Sequence, residues 1–127
     1  MSEEIKVPAV VAERTHVGKV RFPTTMPERL VELIQFPEDV YELAPKMGLD
    51  ETAVKFLMAI LGGRWASTAK MDLQDTAIKT GLQYPVMDKI VQDLLKKNYA
   101  RLNHRLDLYR FWIALLYVKG VRFKAER

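Results

Sequence analysis

The side chains that most often carry out catalysis or bind metals are few in this chain, and their spacing suits neither task. His16 and His104 are the two histidines, and neither lies at a spacing from carboxylates that is typical of a metal site. Cysteine is absent, which excludes disulfides, thiolate zinc sites and cysteine nucleophiles. Asp72 and Asp75 bracket a predicted helix start, so we interpret them as cap and dipole partners rather than a catalytic pair. We therefore predict no enzyme activity, no metal site and no cofactor.

The net charge of the chain comes from its last quarter. The 127 residues contain 20 Lys and Arg against 16 Asp and Glu, a net charge of +4. Residues 96–127 hold nine basic and two acidic residues, a net charge of +7, whereas residues 1–48 carry −2 and residues 49–95 carry −1. A basic surface permits a polyanionic partner. For such a partner, we expect the last quarter to supply most of the attraction.

Length and composition indicate a folded protein with a core. A chain of 127 residues corresponds to one domain with a short arm added, since domains typically have about 100–150 residues. The hydrophobic fraction of 49% is ordinary for such a domain. The longest apolar run, residues 111–118, is far shorter than the roughly 20 residues of a membrane-spanning helix. The acidic start is not of signal-peptide type, so we expect a cytoplasmic protein without a membrane partner.

Residues 1–48 are predicted to be an amino-terminal arm followed by short helices that help to form an oligomer. Residues 5–11 and 17–22 are strand-like, and they predict either a hairpin or an arm that orders against a partner. Two short helices follow between residues 24 and 48, separated at Phe36-Pro37. The helical spacing of three apolar residues defines the inner face of the first: Leu30, Leu33 and Ile34. The second helix is predicted over residues 38–44, before Pro45.

Residues 49–127 show the strongest helical pattern. Three helices are predicted over residues 51–61, 73–80 and 85–97, with Asp50 and Asp72 as the caps of the first two. Apolar residues repeat at helical spacing in the first and third helices, at Val54, Leu57, Met58 and Leu61 and at Met87, Ile90, Val91 and Leu94. Between the second and third helices only residues 81–84 remain, so a tight turn is predicted to join them.

Glycine and asparagine mark the turns in this region. Gly81 ends the short helix, where it can adopt the left-handed conformation. Asn98 can adopt the same conformation after the third helix. Residues 99–102 are predicted to be extended, residues 103–105 to turn the chain, and a second extended stretch to begin near Leu106. Two helices at a steep angle are therefore followed by a small β-hairpin.

This arrangement resembles the winged helix-turn-helix family, over roughly residues 49–113. The leading segment, residues 36–61, is similar to the amino-terminal domain of DnaD-type replication initiation proteins, and MarR-like transcription regulators share the same core plan. The resemblance implies an α+β fold, helix-rich with a small β-wing. It also implies that the chain binds double-stranded DNA in replication initiation or transcription regulation, as a homodimer or larger homo-oligomer and with a replication or transcription protein as a further partner.

The family places the second helix of the pair in the DNA major groove. By this resemblance, the residues expected to contact the groove or its phosphates are Gln83, Tyr84, Asp88, Lys89, Gln92 and Lys96. Those expected on the wing, near the backbone or minor groove, are Arg101, His104 and Arg105. Glutamine can hydrogen-bond an adenine edge, and lysine can reach guanine acceptors or phosphate. Asp88 and Asp93 on the same helix would repel phosphate, so the prediction depends on the wing and tail.

Two alternatives remain open from the sequence. One is a protein-interaction scaffold that uses the winged-helix fold without reading DNA, which the charge of −1 over residues 49–95 supports. The other concerns residues 108–118, which would be either a strand or a helix that is apolar all round. Aromatic and β-branched residues favour the strand at the start of this run. In either state the run offers more apolar surface than a small domain covers, which predicts an oligomer interface.

Overall fold

The computed structural model describes residues 4–8 and 26–126 of the chain. Within these ranges the fold is α+β, with six α-helices, one 3₁₀ helix, a three-stranded antiparallel sheet and a two-stranded parallel sheet. The helices are α1 (Glu28–Val31), α2 (Glu38–Leu43), the 3₁₀ helix (Ala44–Met47), α3 (Glu51–Leu61), α4 (Leu73–Thr80), α5 (Tyr84–Lys96) and α6 (Tyr109–Lys119). The strands are β1 (Glu4–Pro8), β2 (Thr68–Ala69), β3 (Arg101–Leu102), β4 (Leu106–Asp107) and β5 (Arg122–Glu126). The predicted α+β class is confirmed.

The three helices predicted in the middle of the chain are confirmed, with the predicted bounds for α3 and α4 and with α5 one residue earlier at each end. The Oδ1 atom of Asp50 accepts a hydrogen bond from the Ala53 N–H at 2.9 Å, and that of Asp72 accepts one from the Asp75 N–H at 3.0 Å. These bonds satisfy N–H groups that the first turn of a helix leaves unpaired. Gly81 ends α4 with φ of +75°, a left-handed backbone that a β-carbon disfavours. Local side-chain chemistry therefore defines α3, α4 and the turn before α5.

The residues before α3 differ from expectation in two details. Helix α1 ends at Val31, so Leu33 and Ile34 lie in the turn after it and not on a continuing helical face. The helical conformation also does not end before Pro45, because the chain continues through this residue as the 3₁₀ helix. Proline is compatible with the first turn of a helix, where its missing N–H would have had no partner.

The three-stranded sheet has β4 at its centre, antiparallel to β2 on one side and to β3 on the other. The pairing forms two rows of residues across the sheet, one of Thr68, Asp107 and Arg101 and the other of Ala69, Leu106 and Leu102. Side chains in one row share a face of the sheet. The predicted extended stretches on either side of residues 103–105 are thus paired as a hairpin, and β2 joins them from before α4.

The two-stranded sheet pairs the two ends of the chain. Strand β1 runs parallel to β5, from Glu4 opposite Arg122 to Pro8 opposite Glu126. The strand predicted over residues 5–11 is confirmed as far as Pro8. The second strand-like run, residues 17–22, lies outside the described residues.

Helix α6 occupies the run whose state the sequence left open, and the preference for a strand at its start is wrong. The Oδ1 atom of Asp107 accepts a hydrogen bond from the Tyr109 N–H at 2.9 Å, which stabilises the first turn. Tyr109 and Trp112 are fully buried, and the Trp112 indole N–H donates to the Ala66 carbonyl at 2.8 Å. Aromatic residues favour strands where a pleated surface receives them. Here the rings are buried in the hydrophobic core instead, so tertiary contacts override that preference.

The hydrophobic core is built around α6 and draws side chains from both parts of the chain, from Met26 to Val121. Lys119, at the end of α6, forms an ion pair of 2.7 Å with the buried Asp39 of α2. The side chains of Tyr117 and Val118 are 55% and 37% exposed, so α6 is not buried all round. Residues 26–48 therefore pack on the same core as the helices and strands that follow.

Candidate nucleic-acid interface

Helix α5 buries one face and presents the other to solvent. Its buried side chains are Met87, Ile90, Val91 and Leu94, as their spacing predicts. Lys89, Gln92 and Lys96 follow one another at spacings of three and four, and all three are exposed. Residues at these spacings lie along one side of a helix. We call these three residues the α5 stripe, which presents two ammonium groups around one side-chain amide.

The remaining groove residues predicted on this helix lie at its beginning. Gln83 is the N-cap residue of α5, Tyr84 is its first residue, and Asp88 lies one turn further on. All three are exposed, and the Tyr84 side chain is 53% exposed. Asp88 belongs to none of the ion pairs formed within the described part of the chain. It lies next to Lys89 of the α5 stripe, and it reduces the attraction of this end of the helix for an anion.

Two other aspartates of the helical pair have cations beside them. Asp75 pairs with Lys79 at 2.9 Å on α4, and Asp93 pairs with Lys97 at 3.0 Å at the end of α5. The Lys97 ammonium also donates to the Gly48 carbonyl at 2.9 Å, which places the second pair on the side of α5 that faces the start of α3. Exposed pairs of this kind contribute only about 0.3–0.5 kcal/mol to stability. Their effect here is electrostatic, because the charge of Asp93 is largely balanced by that of Lys97.

The wing consists of β3, β4 and residues 103–105 between them. The Asn103 N–H donates to the Arg105 carbonyl at 3.0 Å and closes the turn. Arg101, His104 and Arg105 are all exposed. The Arg105 Nε–H donates to the Thr68 hydroxyl of β2 at 2.9 Å, so the guanidinium group is held against the sheet. The wing residues predicted from the sequence therefore lie on one small sheet, with Arg105 bound to Thr68 of β2.

A buried carboxylate, Asp107, lies at the junction between the wing and α6, and no sequence prediction assigned it a site. Its side chain shares a sheet row with Thr68 and Arg101, and only 6% of the residue is exposed. Burial raises the pKa of the Asp107 carboxyl above its ordinary value of 3.8, while the hydrogen bond from Tyr109 and the charges of Arg101 and Arg110 oppose the rise. Two features of the sequence could have drawn attention to Asp107. It directly precedes an aromatic run, and it is one of two acidic residues among the last 32.

The basic residues of the last quarter are engaged in different parts of the fold. The Lys119 ammonium donates to the Leu33 carbonyl and to Asp39, both at 2.7 Å. The Arg122 guanidinium donates to the Tyr117 carbonyl at 3.0 Å and stacks over the Tyr117 ring at 4.3 Å. Lys119 is about 15 Å along α6 from the wing, at 1.5 Å per residue. The charge that the sequence groups together is therefore divided between the wing and the far end of α6.

The described residues also border two open grooves. One, of about 390 Å³, lies between the start of α3 and α5, where Lys89 and Asp93 form part of its wall. The other, of about 620 Å³, is mainly apolar and includes Tyr41, Val54 and Met58. No cluster of three or more His, Asp or Glu side chains that could hold a metal occurs in residues 4–8 and 26–126. None of the described helices combines the length and apolarity needed to cross a bilayer.

Comparison with known proteins identifies no relative. No protein-family model matches the sequence, and no curated protein or solved structure matches it significantly.

Proposed function

We propose that this protein is a winged-helix module that binds double-stranded DNA in replication initiation or transcription regulation. The observation that carries the proposal is the pairing of an exposed, cationic α5 stripe with a small sheet whose exposed hairpin carries Arg105. The order α3, β2, α4, α5, β3, β4 agrees with the plan of that family. The residues proposed to contact DNA are Gln83, Tyr84, Asp88, Lys89, Gln92, Lys96, Arg101, His104 and Arg105.

In the proposed complex, α5 lies in the major groove with its stripe toward the base edges. The groove is about 12 Å wide and admits one α-helix. Gln92 lies between Lys89 and Lys96, so its amide can reach a base edge while the two ammonium groups reach guanine acceptors or phosphates. The wing then follows the backbone, where Arg105 and His104 contact phosphates. No chemical step is required of any residue.

We further propose that the protein acts in the cytoplasm as a homodimer or larger oligomer, with a replication or transcription protein as an additional partner. A single α5 stripe offers few cationic contacts, since Asp88 lies beside it. Two copies would double the phosphate contacts and steepen the dependence of affinity on salt. Static light scattering tests this point, because a monomer at all concentrations would contradict it.

A protein-interaction scaffold is the second candidate, and the exposed apolar residues of the helical pair favour it. Ile78 of α4 is 78% exposed and Tyr84 of α5 is 53% exposed. Isolated exposed apolar residues are ordinary, but these two flank the turn that the proposed DNA complex uses. On this hypothesis the same surface contacts a protein, and duplex binding at low salt stays at a non-specific level.

Duplex binding across a salt series tests the proposed function. The Lys89→Ala/Lys96→Ala and Arg101→Ala/Arg105→Ala variants each remove two charges from the interface. A Lys46→Ala/Lys55→Ala variant is the matched control, because both lysines are exposed on other elements.

For the wild type we expect the logarithm of the affinity to fall linearly with the logarithm of the salt concentration. Each lost phosphate contact should reduce the slope by about 0.9, so the α5 variant should lose up to about 1.8, while the control keeps the wild-type slope. The absence of salt-dependent binding in the wild type, or equal losses in the control, would overturn the proposed function.

A further inference from the structure

The polar row of the three-stranded sheet places a carboxylate beside a wing arginine. Asp107 lies on the central strand β4, directly opposite Thr68 of β2 and Arg101 of β3. Side chains directly opposite one another in antiparallel strands share a face, with β-carbons about 4.5–5.5 Å apart. The Asp107 and Arg101 side chains therefore point to the same side of the sheet.

Groups of β3 and α6 act on the Asp107 carboxylate. The Tyr109 N–H of α6 donates to its Oδ1 atom at 2.9 Å. Arg101 from β3 and Arg110 from α6 both interact with it electrostatically and favour its charged form. A carboxylate that is only 6% exposed requires such compensation, because an isolated buried charge is costly. The charge of Arg101 thus helps to compensate the buried Asp107 carboxylate.

The other wing arginine has a different environment. The Arg105 Nε–H donates to the Thr68 hydroxyl at 2.9 Å, a neutral partner that leaves the positive charge uncompensated. No ion pair within the described ranges includes Arg105. The two arginines, which the sequence assigns the same role, therefore differ in the charge that each can offer to an anion.

We propose that Asp107 is a positioning residue of the interface, which holds Arg101 against the base of the wing, so that Arg105 makes the stronger of the two arginine contacts with phosphate. The assignment of Arg105 rests on the proposed function, whereas the pairing of Asp107 with Arg101 does not. Arg101 then orients the wing from its base, and the wing contributes one strong phosphate contact per copy.

Titration of the Asp107 side-chain carboxyl by ¹³C NMR tests the pairing without DNA. The Arg101→Ala variant should raise the Asp107 pKa relative to the wild type, since a nearby opposite charge favours the ionised form of a carboxyl group. The Arg105→Ala variant is the matched control and should leave this pKa unchanged. Equal Asp107 pKa values in the wild type and in Arg101→Ala would overturn the pairing.

Duplex binding of the Asp107→Asn variant tests the consequence for the interface. Asparagine keeps the shape of the side chain and an oxygen that can accept from Tyr109, but it releases Arg101. We expect the salt dependence to steepen by up to about 0.9, the value of one added phosphate contact, with tighter binding at low salt. In the wild-type background, Arg105→Ala should weaken binding several-fold more than Arg101→Ala, and the Arg101→Ala effect should grow in the Asp107→Asn background.

The outcomes separate the two proposals. Unchanged affinity in Asp107→Asn, or equal losses for the two arginine variants in a wild type that binds duplex, would overturn the positioning role. A wild type without salt-dependent binding would overturn the proposed function and the role of Arg105, and the carboxyl titration would still decide the pairing of Asp107 with Arg101.

Discussion

The acidic side chains of the helical pair α4–α5 and of the junction between the wing and α6 have their compensating cations in different places. In the helical pair, Asp75 and Asp93 have lysines four residues further along the same helix. At the junction, the charges that favour the ionised Asp107 carboxylate come from other elements, from Arg101 on β3 and from Arg110 on α6, and burial still raises its pKa. Local pairing leaves the surface of α4 and α5 exposed, whereas at the junction an exposed arginine faces a carboxylate that is itself buried. A count of charges along the chain treats the two regions alike, but the fold does not.

The largest expected effect comes from breaking the tertiary contacts that hold α6. Trp112 is fully buried, packs on Phe36, Trp65 and Phe111, and donates to the Ala66 carbonyl. Trp112→Ala should lower the free energy of unfolding by about 3–5 kcal/mol, through lost burial and the remaining cavity.

Urea unfolding measures this change, with Tyr117→Ala on the same helix as the control. Because Tyr117 is 55% exposed, its replacement should cost at most about 1 kcal/mol, the value of its exposed cation–π contact with Arg122. Similar losses in both variants would show that α6 is not held by its buried face.

A second experiment compares a non-local ion pair with a local one. Lys119→Met leaves the Asp39 carboxylate, whose side chain is only 8% exposed, without its cation. We expect the free energy of unfolding to fall by about 2–3 kcal/mol. This lies at or below the lower end of the range for breaking buried ion pairs, because Lys119 is itself partly exposed. Lys79→Met breaks the exposed pair with Asp75 and should cost at most about 0.5 kcal/mol. Chemical denaturation at neutral pH gives both values, and equal losses would remove the distinction between the two kinds of pair.

The smallest effect is a pH dependence at Asp107. Because its pKa is raised in the folded protein, the folded state binds this proton more tightly than the unfolded state. The resulting stabilisation is fully present below the ordinary value of 3.8 and is lost as the pH rises through the folded-state pKa. Asp107→Asn should therefore be at least as stable as the wild type at neutral pH, and the difference should shrink as the pH falls toward 4. A wild type that gains stability over the variant as the pH rises would contradict this sign.

Much of the helical framework was predictable because its signals are local. Asp50 and Asp72 hydrogen-bond N–H groups three residues away, Gly81 supplies the left-handed residue at the end of α4, and Asn98 supplies another after α5 with φ of +62°. The inner face of α5 and its exposed stripe follow from helical periodicity alone. All nine candidate contact residues are exposed, while their contact with DNA stays a prediction.

The unpredicted features depend on residues far apart in the chain. Residue propensities favoured a strand where α6 begins. They take no account of the buried site that the rest of the fold provides for Trp112. The different environments of Arg101 and Arg105 depend on the register of three strands, and the distance between Lys119 and the wing depends on the length of α6. Short-range hydrogen bonds and periodicity thus define the helices and the face of α5, whereas only the tertiary structure decides which charges remain available, since burial and non-local pairing follow from packing.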